Sequence, residues 1–295
     1  MAAGGTVERG FPRLAEVRAS VTALYRGLSP ATVRGFPLSV LPVDVGFGDD
    51  EELSAGVQRI ARVMVRHLGL PEARIVVSFR RMDEAAWVEL TDGPEYHVEL
   101  HPRFDGHRRD IGAVLAHEVM HVFLHRAGLA LEGTAANEIL TDTAAAYLGA
   151  GWLLLDAFRQ DAVSSQKLGY LTPEEYGYVL AKRAAVFGED PRVWFTSPQA
   201  YDAYAKGLRL AEEDETRPPL AGGGWASRQR YAVQRALAVR GAPSSVQPGH
   251  CVFEAGTPPR VTFPCPVCFQ RIRVPVRGRV RARCGLCRTE LDCDT

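Results

Sequence analysis

Asp110-Ile-Gly-Ala-Val-Leu-Ala-His117-Glu118-Val-Met-His121-Val-Phe-Leu-His125-Arg-Ala-Gly128 is the stretch on which the reading of this chain turns. Asp110 is a residue type that caps helix starts and Gly128 one that stops helices. The apolar positions Ile111, Val114, Leu115, Val119, Val122, Phe123 and Leu124 predict one helix between them. Side chains four apart on a helix stand on one face about a turn from each other, so His117 and His121 can grip one ion. Glu118 lies beside that face, within reach of a water on the ion. An HExxH pattern fixes only three positions and also arises by chance as two surface histidines and a glutamate. The flanks decide otherwise: Ala113 to Ala116 before it and Val119, Met120 and Val122 to Leu124 around it set the polar triad against a core. Unpaired polar groups cost kilocalories there, a cost that metal ligation relieves.

A catalytic zinc takes a third protein ligand and keeps a position for water. His125 continues the histidine stripe but stands about 12 Å along the axis from His117 at about 1.5 Å per residue, too far to share the ion. It is expected as a core histidine or as one that supports the ligands. A third histidine six residues after His121, the metzincin arrangement, would fall on Ala127, and no further histidine occurs before His250. Downstream stands Asn137-Glu138-Ile139-Leu140-Thr141-Asp142, on a second helix predicted from about Thr134 to Phe158.

HExxH followed by NExxxD on the next helix resembles the gluzincin group of metallopeptidases. The short connection, and the string His121-Val122-Phe123-Leu124-His125, are similar to the compact ImmA/IrrE-like and HtpX-like peptidases. The resemblance covers roughly residues 74–158. It implies that Glu138 is the third zinc ligand and that Asp142 orients His117 through its other ring nitrogen, fixing the tautomer and raising ligand basicity. It further implies a zinc-dependent hydrolysis of peptide bonds in which Glu118 is the general base towards a water whose pKa the ion lowers to about 7. In gluzincins an edge strand pairs with extended substrate. The strand Tyr96, His97, Val98, Glu99 and Leu100 precedes the metal helix and is the candidate for that role, with an ordinary inner strand as the competing reading. A group stabilising the transition state is expected among Tyr170, Tyr176, Tyr178 and His97, without a choice among them.

Cys265-Pro-Val-Cys268 and Cys284-Gly-Leu-Cys287, fifteen residues apart, have the spacing of a tetrahedral four-cysteine zinc site. With β-like runs Arg271 to Val276 and Arg279 to Arg283, they predict a zinc ribbon of two knuckles on a hairpin. So small a unit folds on its metal. The cofactor expectation is therefore two zinc ions per chain, one catalytic and one structural. Cys251 and Cys293 have no fourfold partners and read as buried thiols. From Ala255 to Thr289 there are eight arginines and no acid. That surface is a candidate for an acidic protein or nucleic-acid partner, although few aromatics interleave, which speaks for a solvated arginine face.

Further out, Phe11 to Leu28 and Asp50 to Leu70 have helical spacing. Arg74 to Phe79, Ala86 to Leu90 and Tyr96 to His101 read as strands, the last two as a hairpin across Thr91-Asp-Gly-Pro94. Thr172-Pro173-Glu174-Glu175 and Ser197-Pro198 announce helices. Gly222-Gly-Gly224 precedes another at Trp225 to Arg240, and Gly241-Ala-Pro-Ser-Ser245 is a linker. The expected organisation is an N-terminal helical region (1–73), a zincin core (74–160), a helical extension (161–241) and a zinc ribbon (251–295). The fold class is α+β, a small antiparallel sheet packed on the two metal helices. The 295 residues carry 35 basic and 35 acidic side chains, so net charge names no partner. No apolar block long enough to span a bilayer is present, and cysteines confined to the part after residue 250 point to a reducing, cytoplasmic setting. The reading is a metallopeptidase acting on a protein or peptide, with the ribbon recruiting substrate or partner. The alternative is a nucleic-acid- or protein-binding regulator with a latent zincin fold.

Overall fold

A computed structural model describes residues 7–160, 165–240 and 251–295; the linker expected at 241–245 lies outside them. The chain divides into two compact units, residues 1–208 and 209–295, so the region read as a helical extension is shared between them. No helix among the described residues is long and apolar enough to cross a membrane.

The first unit begins with helices α1 (Leu14–Gly27), α2 (Ser29–Arg34), α3 (Pro42–Val45) and α4 (Leu53–His67). Glu52 caps α4 by accepting from the Ala55 amide at 2.9 Å. Val57, Ile60, Ala61, Met64 and Val65 form its buried stripe. Three strands follow, β1 (Arg74–Phe79), β2 (Ala86–Val88) and β3 (Glu95–Leu100), in the order β1-β3-β2. The β2–β3 hairpin is antiparallel as expected, but β1 joins β3 in parallel, which corrects the all-antiparallel sheet. The chain reverses once before β2 and again at Thr91–Pro94, so β3 runs in the direction of β1. β3 is therefore the inner strand, hydrogen-bonded on both sides. Tyr96, His97, Val98, Glu99 and Leu100 cannot offer a free backbone edge; that edge belongs to β2.

Next come α5 (Ile111–Arg126), α6 (Thr134–Tyr147) and α7 (Gly151–Asp156), a two-residue hairpin β4–β5 (Arg159–Gln160, Ser165–Gln166) and α8 (Pro173–Phe187). α9 (Pro198–Thr216) runs across residue 208. α5 packs on α4, β2, α6 and α7, and α8 on α6 and α7. The single helix expected from Thr134 to Phe158 is two. Gly149 takes φ +114°, the Leu148 carbonyl meets His67 Nε2 at 2.8 Å, and the Gly149 carbonyl accepts from the Val40 amide. These tertiary bonds replace helical ones at the break. Asp110 occupies the cap position of α5, yet its buried carboxylate is engaged by Arg159 and Gln166 instead of the helix amides. The start of α8 forms the expected capping box between Thr172 and Glu175.

The second unit carries α10 (Trp225–Val239), then β6 (Val252–Glu254), β7 (Arg260–Pro264), β8 (Arg271–Pro275), β9 (Arg279–Arg283) and β10 (Glu290–Asp294). β6-β7-β8 form one antiparallel sheet and β9–β10 a second. The two arginine-rich runs do not pair with each other as one hairpin. Each instead pairs across its own CxxC turn, β8 with β7 and β9 with β10.

Candidate metal centre

The i, i+4 spacing on α5 brings His117 Nε2 within 3.1 Å of His121 Nε2. Glu138, on α6, reaches both: its Oε2 lies 3.2 Å from His117 Nε2 and 3.3 Å from His121 Nε2. A tetrahedral ion with bonds of about 2.0–2.1 Å to nitrogen and oxygen holds its ligand atoms about 3.3–3.4 Å apart. Three lone-pair atoms converge here at that spacing, from two imidazoles and a carboxylate, the donor set that suits zinc. Asn137 explains how so short a connection aims Glu138. Its amide group accepts from the Leu131 N–H at 2.8 Å and donates to the Leu131 carbonyl at 2.6 Å, pinning the loop to the first turn of α6.

The outer nitrogens of both rings are also held from α6. Asp142 Oδ1 lies 2.8 Å from His117 Nδ1, and Thr141 Oγ1 lies 3.2 Å from His121 Nδ1. Asp142 is fully buried. Its other oxygen accepts the amide N–H groups of Tyr170 and Leu171, and the Tyr176 phenol faces it. Gly169 makes this approach feasible. Its φ is +77°, and a Cβ there would stand 2.1 Å from the Tyr176 hydroxyl and under 3 Å from both Asp142 oxygens.

Charge is balanced within the cluster. Burial would raise the Asp142 carboxyl, but His117 and the amides outweigh it and hold it below the usual carboxylate range. Burial opposes charge on His117 too, and Asp142, with Glu138 and Glu118, pushes the imidazole well above its ordinary value. Burial would likewise raise Glu138, and its contacts with His117 and His121 hold it down to about 2. Glu118 is the exception: buried and bound to none of these groups, its carboxyl is raised by burial, the histidines offsetting only part. A carboxylate with elevated proton affinity beside three converging donors is placed to take a proton and return it.

His117, Glu118, His121 and Glu138 line an open cleft of about 840 Å³. β2 lines it too, through Ala86, Trp87 and Val88. The Ala85 carbonyl and Glu89 amide bond β3, so by strand alternation the main-chain groups of Ala86 and Val88 point the other way, to the free edge. Tyr170 lines the cleft, its ring stacked on that of His117 at 6.2 Å and 22°. Of the other aromatic candidates, Tyr176 is buried behind Asp142, Tyr178 is buried against Arg18, and His97 is exposed on β3. His125 is neither in the core nor behind a ligand: it is exposed on the cleft wall.

No protein-family model, no curated protein and no solved structure matches this chain.

The second cluster lies in the ribbon-like unit. Cys265, Cys268, Cys284 and Cys287 are fully buried, and their sulfurs lie within 4.8 Å of one another. Cys265 and Cys287 are 3.6 Å apart and Cys268 and Cys284 3.5 Å, near the separation of about 3.8 Å that bonds of about 2.3 Å impose on four tetrahedral sulfurs. The two turns repeat each other. The Cys265 amide bonds the Gln270 carbonyl and the Cys284 amide the Thr289 carbonyl, both at 2.9 Å, and Phe269 and Arg288 both take positive φ. Cys293 is buried on β10, and Cys251 donates to the Pro218 carbonyl at 2.9 Å; burial pushes their thiols up to about 11 and about 12.

The arginine series of β9 meets acid. Arg279, Arg281 and Arg283 stand opposite Asp294, Asp292 and Glu290, with Arg281 within 3.5 Å of Asp292, and Arg273 pairs with Glu254. The acids sit just outside the acid-free stretch 255–289 on either side, and strand pairing folds them onto it.

The supports that sequence reasoning missed are Thr141, the amides of Tyr170 and Leu171, and Gly169. The only signals for them were a threonine next to Asp142 and a glycine three residues before a helix cap.

Proposed function

We propose that this chain is a zinc-dependent peptidase of the gluzincin kind, with His117, His121 and Glu138 as metal ligands and Glu118 as general base. One observation carries the reading: three donor atoms converge from two helices at the lining of an open cleft, and among the described residues no fourth side chain joins them. A bound zinc ion supplies Lewis acidity, which lowers the pKa of water towards about 7. Glu118 takes the proton from the attacking water and delivers it to the leaving amine. Tyr170, over His117 and open to the cleft, is the phenol placed to hydrogen-bond charge that develops on the substrate oxygen. The β2 edge, at Ala86 and Val88, offers main-chain hydrogen bonds to an extended peptide, a mode of binding that selects a strand rather than a particular sequence.

The four-cysteine cluster is proposed to hold a structural zinc in a ribbon that recruits substrate or partner. Ion pairs of Arg273 with Glu254 and of Arg281 with Asp292 weaken the field that these two arginines would offer to phosphate, which speaks against the nucleic-acid alternative.

The test is Glu118→Gln. Zinc content stays at two ions per chain by metal analysis, while hydrolysis of unstructured protein substrates falls by about 10²–10⁴. Retention of full hydrolysis would remove Glu118 from the mechanism, and zinc at one ion per chain in the wild type would remove the peptidase assignment.

A further inference from the structure

α6 reaches both histidines of the centre with three side chains from a little over one turn. Glu138 faces both Nε2 atoms, Asp142 (four residues on) holds His117 Nδ1, and Thr141 (three residues on) lies 3.2 Å from His121 Nδ1. Positions three and four apart flank one helix face from either side, which is why neighbouring residues attend to different rings. We infer that Thr141 is a positioning residue of the metal centre, an uncharged counterpart of Asp142 that fixes the tautomer and ring plane of His121.

The inference rests on the zinc reading above. A neutral imidazole that ligates through Nε2 carries its proton on Nδ1, and that proton needs an acceptor. For His117 the acceptor is a carboxylate; for His121 it is the Thr141 hydroxyl oxygen. Thr141 is buried, 1% exposed, so water does not serve in its place. A β-branched residue on a helix has few rotamers, which keeps this oxygen aimed.

Electrostatics explain why the second support is not an acid. The carboxylates of Glu138 and Asp142 together balance a divalent ion, and Glu118 adds a third acid that must exchange a proton. A fourth carboxylate at position 141 would be a buried charge without a partner. A hydroxyl accepts the Nδ1–H and leaves the count unchanged. It also raises ligand basicity less than a carboxylate does, so His121 becomes the weaker of the two imidazole ligands.

The experiment measures zinc affinity of the full chain by competition with a chromophoric chelator. The variants are Thr141→Val and Thr141→Ala, which remove the acceptor, and Thr141→Ser, which keeps it. The cobalt-loaded proteins give a visible spectrum that reports the ligand geometry. Expected are a weakening of zinc at the His117, His121 and Glu138 site by about tenfold in Val and Ala, at the lower end of the range for lost outer support, a shifted cobalt spectrum, and recovery of both in Ser. Melting of the metal-free forms separates this from a packing effect: Val, which keeps the shape, should melt as the wild type does. Equal zinc affinity in Val, Ala and wild type overturns the inference while leaving the zinc reading intact, as does a Ser variant as weak as Ala. A wild type that loads only one zinc per chain overturns both together.

Discussion

The two donor clusters differ in number, softness and access. The His117, His121 and Glu138 group has three hard or borderline donors on a cleft wall, with side chains 12–19% exposed and a buried acid alongside. The cysteine cluster has four sulfurs, each fully buried and each held by a backbone turn. Four ligands close a coordination sphere and leave an ion nothing to do but cross-link the chain. Three ligands in a cleft leave a position for a reactant. The two clusters thus differ in what surrounds their donors.

The largest effect that separates the clusters is Cys284→Ser. The small sheets of residues 251–295 bury little surface, and a structural zinc contributes about 10–16 kcal/mol to the folding of such a unit. Amide hydrogen exchange should show protection lost across 251–295 and kept over α5 and α6. His121→Ala should do the reverse, removing one zinc with the ribbon intact. If either substitution strips both ions, the clusters are not independent and the comparison breaks.

Asp142→Asn should act within the first cluster alone. It leaves the shape but removes the charge that holds the His117 Nδ1 proton, so zinc affinity should fall about 10–100-fold, with the ribbon zinc unchanged in the same titration. The loss should exceed that of Thr141→Val, since a carboxylate supports its ring more strongly than a hydroxyl.

The smallest effect is Arg281→Ala. Its acid partners are exposed, and exposed pairs contribute little, so the melting temperature should stay within error at low and high salt. Affinity for single-stranded or duplex oligonucleotides should be as negligible in the variant as in the wild type. Salt-sensitive binding by the wild type that disappears in the variant would revive the ribbon as a nucleic-acid surface.

Much of the candidate site was legible because its chemistry follows helical periodicity. His117 with His121, and Glu138 with Asp142, are i, i+4 pairs, and a spacing of four puts two side chains on one face whatever the rest of the chain does. The strand over 74–79 was legible for the same local reason. The errors fell where the path of the chain decides. Between an edge and an inner position for β3 the sequence left the choice open, and β1 along its other side makes it inner. One helix over 134–158 read as continuous because the run Ala144 to Leu155 is unbroken by a polar residue, and no periodicity announces that Val40 and His67 take over the carbonyls near Gly149. The basic stretch 255–289 is not such an error: strand pairing only adds that acids of β10 stand opposite Arg279, Arg281 and Arg283, which a linear count does not show.

By itself the sequence determined the donor types, the His117–His121 pair, the two CxxC pairs, and the helix and turns that carry them, since each of these depends on residues within a few positions of one another. Only the tertiary structure decided that Glu138 meets both imidazoles, that Thr141 and the amides of Tyr170 and Leu171 stand behind the centre, and that β2 is the open edge. Those contacts join residues some twenty or more positions apart, and which of them form is set by how α5, α6 and the loop before α8 pack against one core.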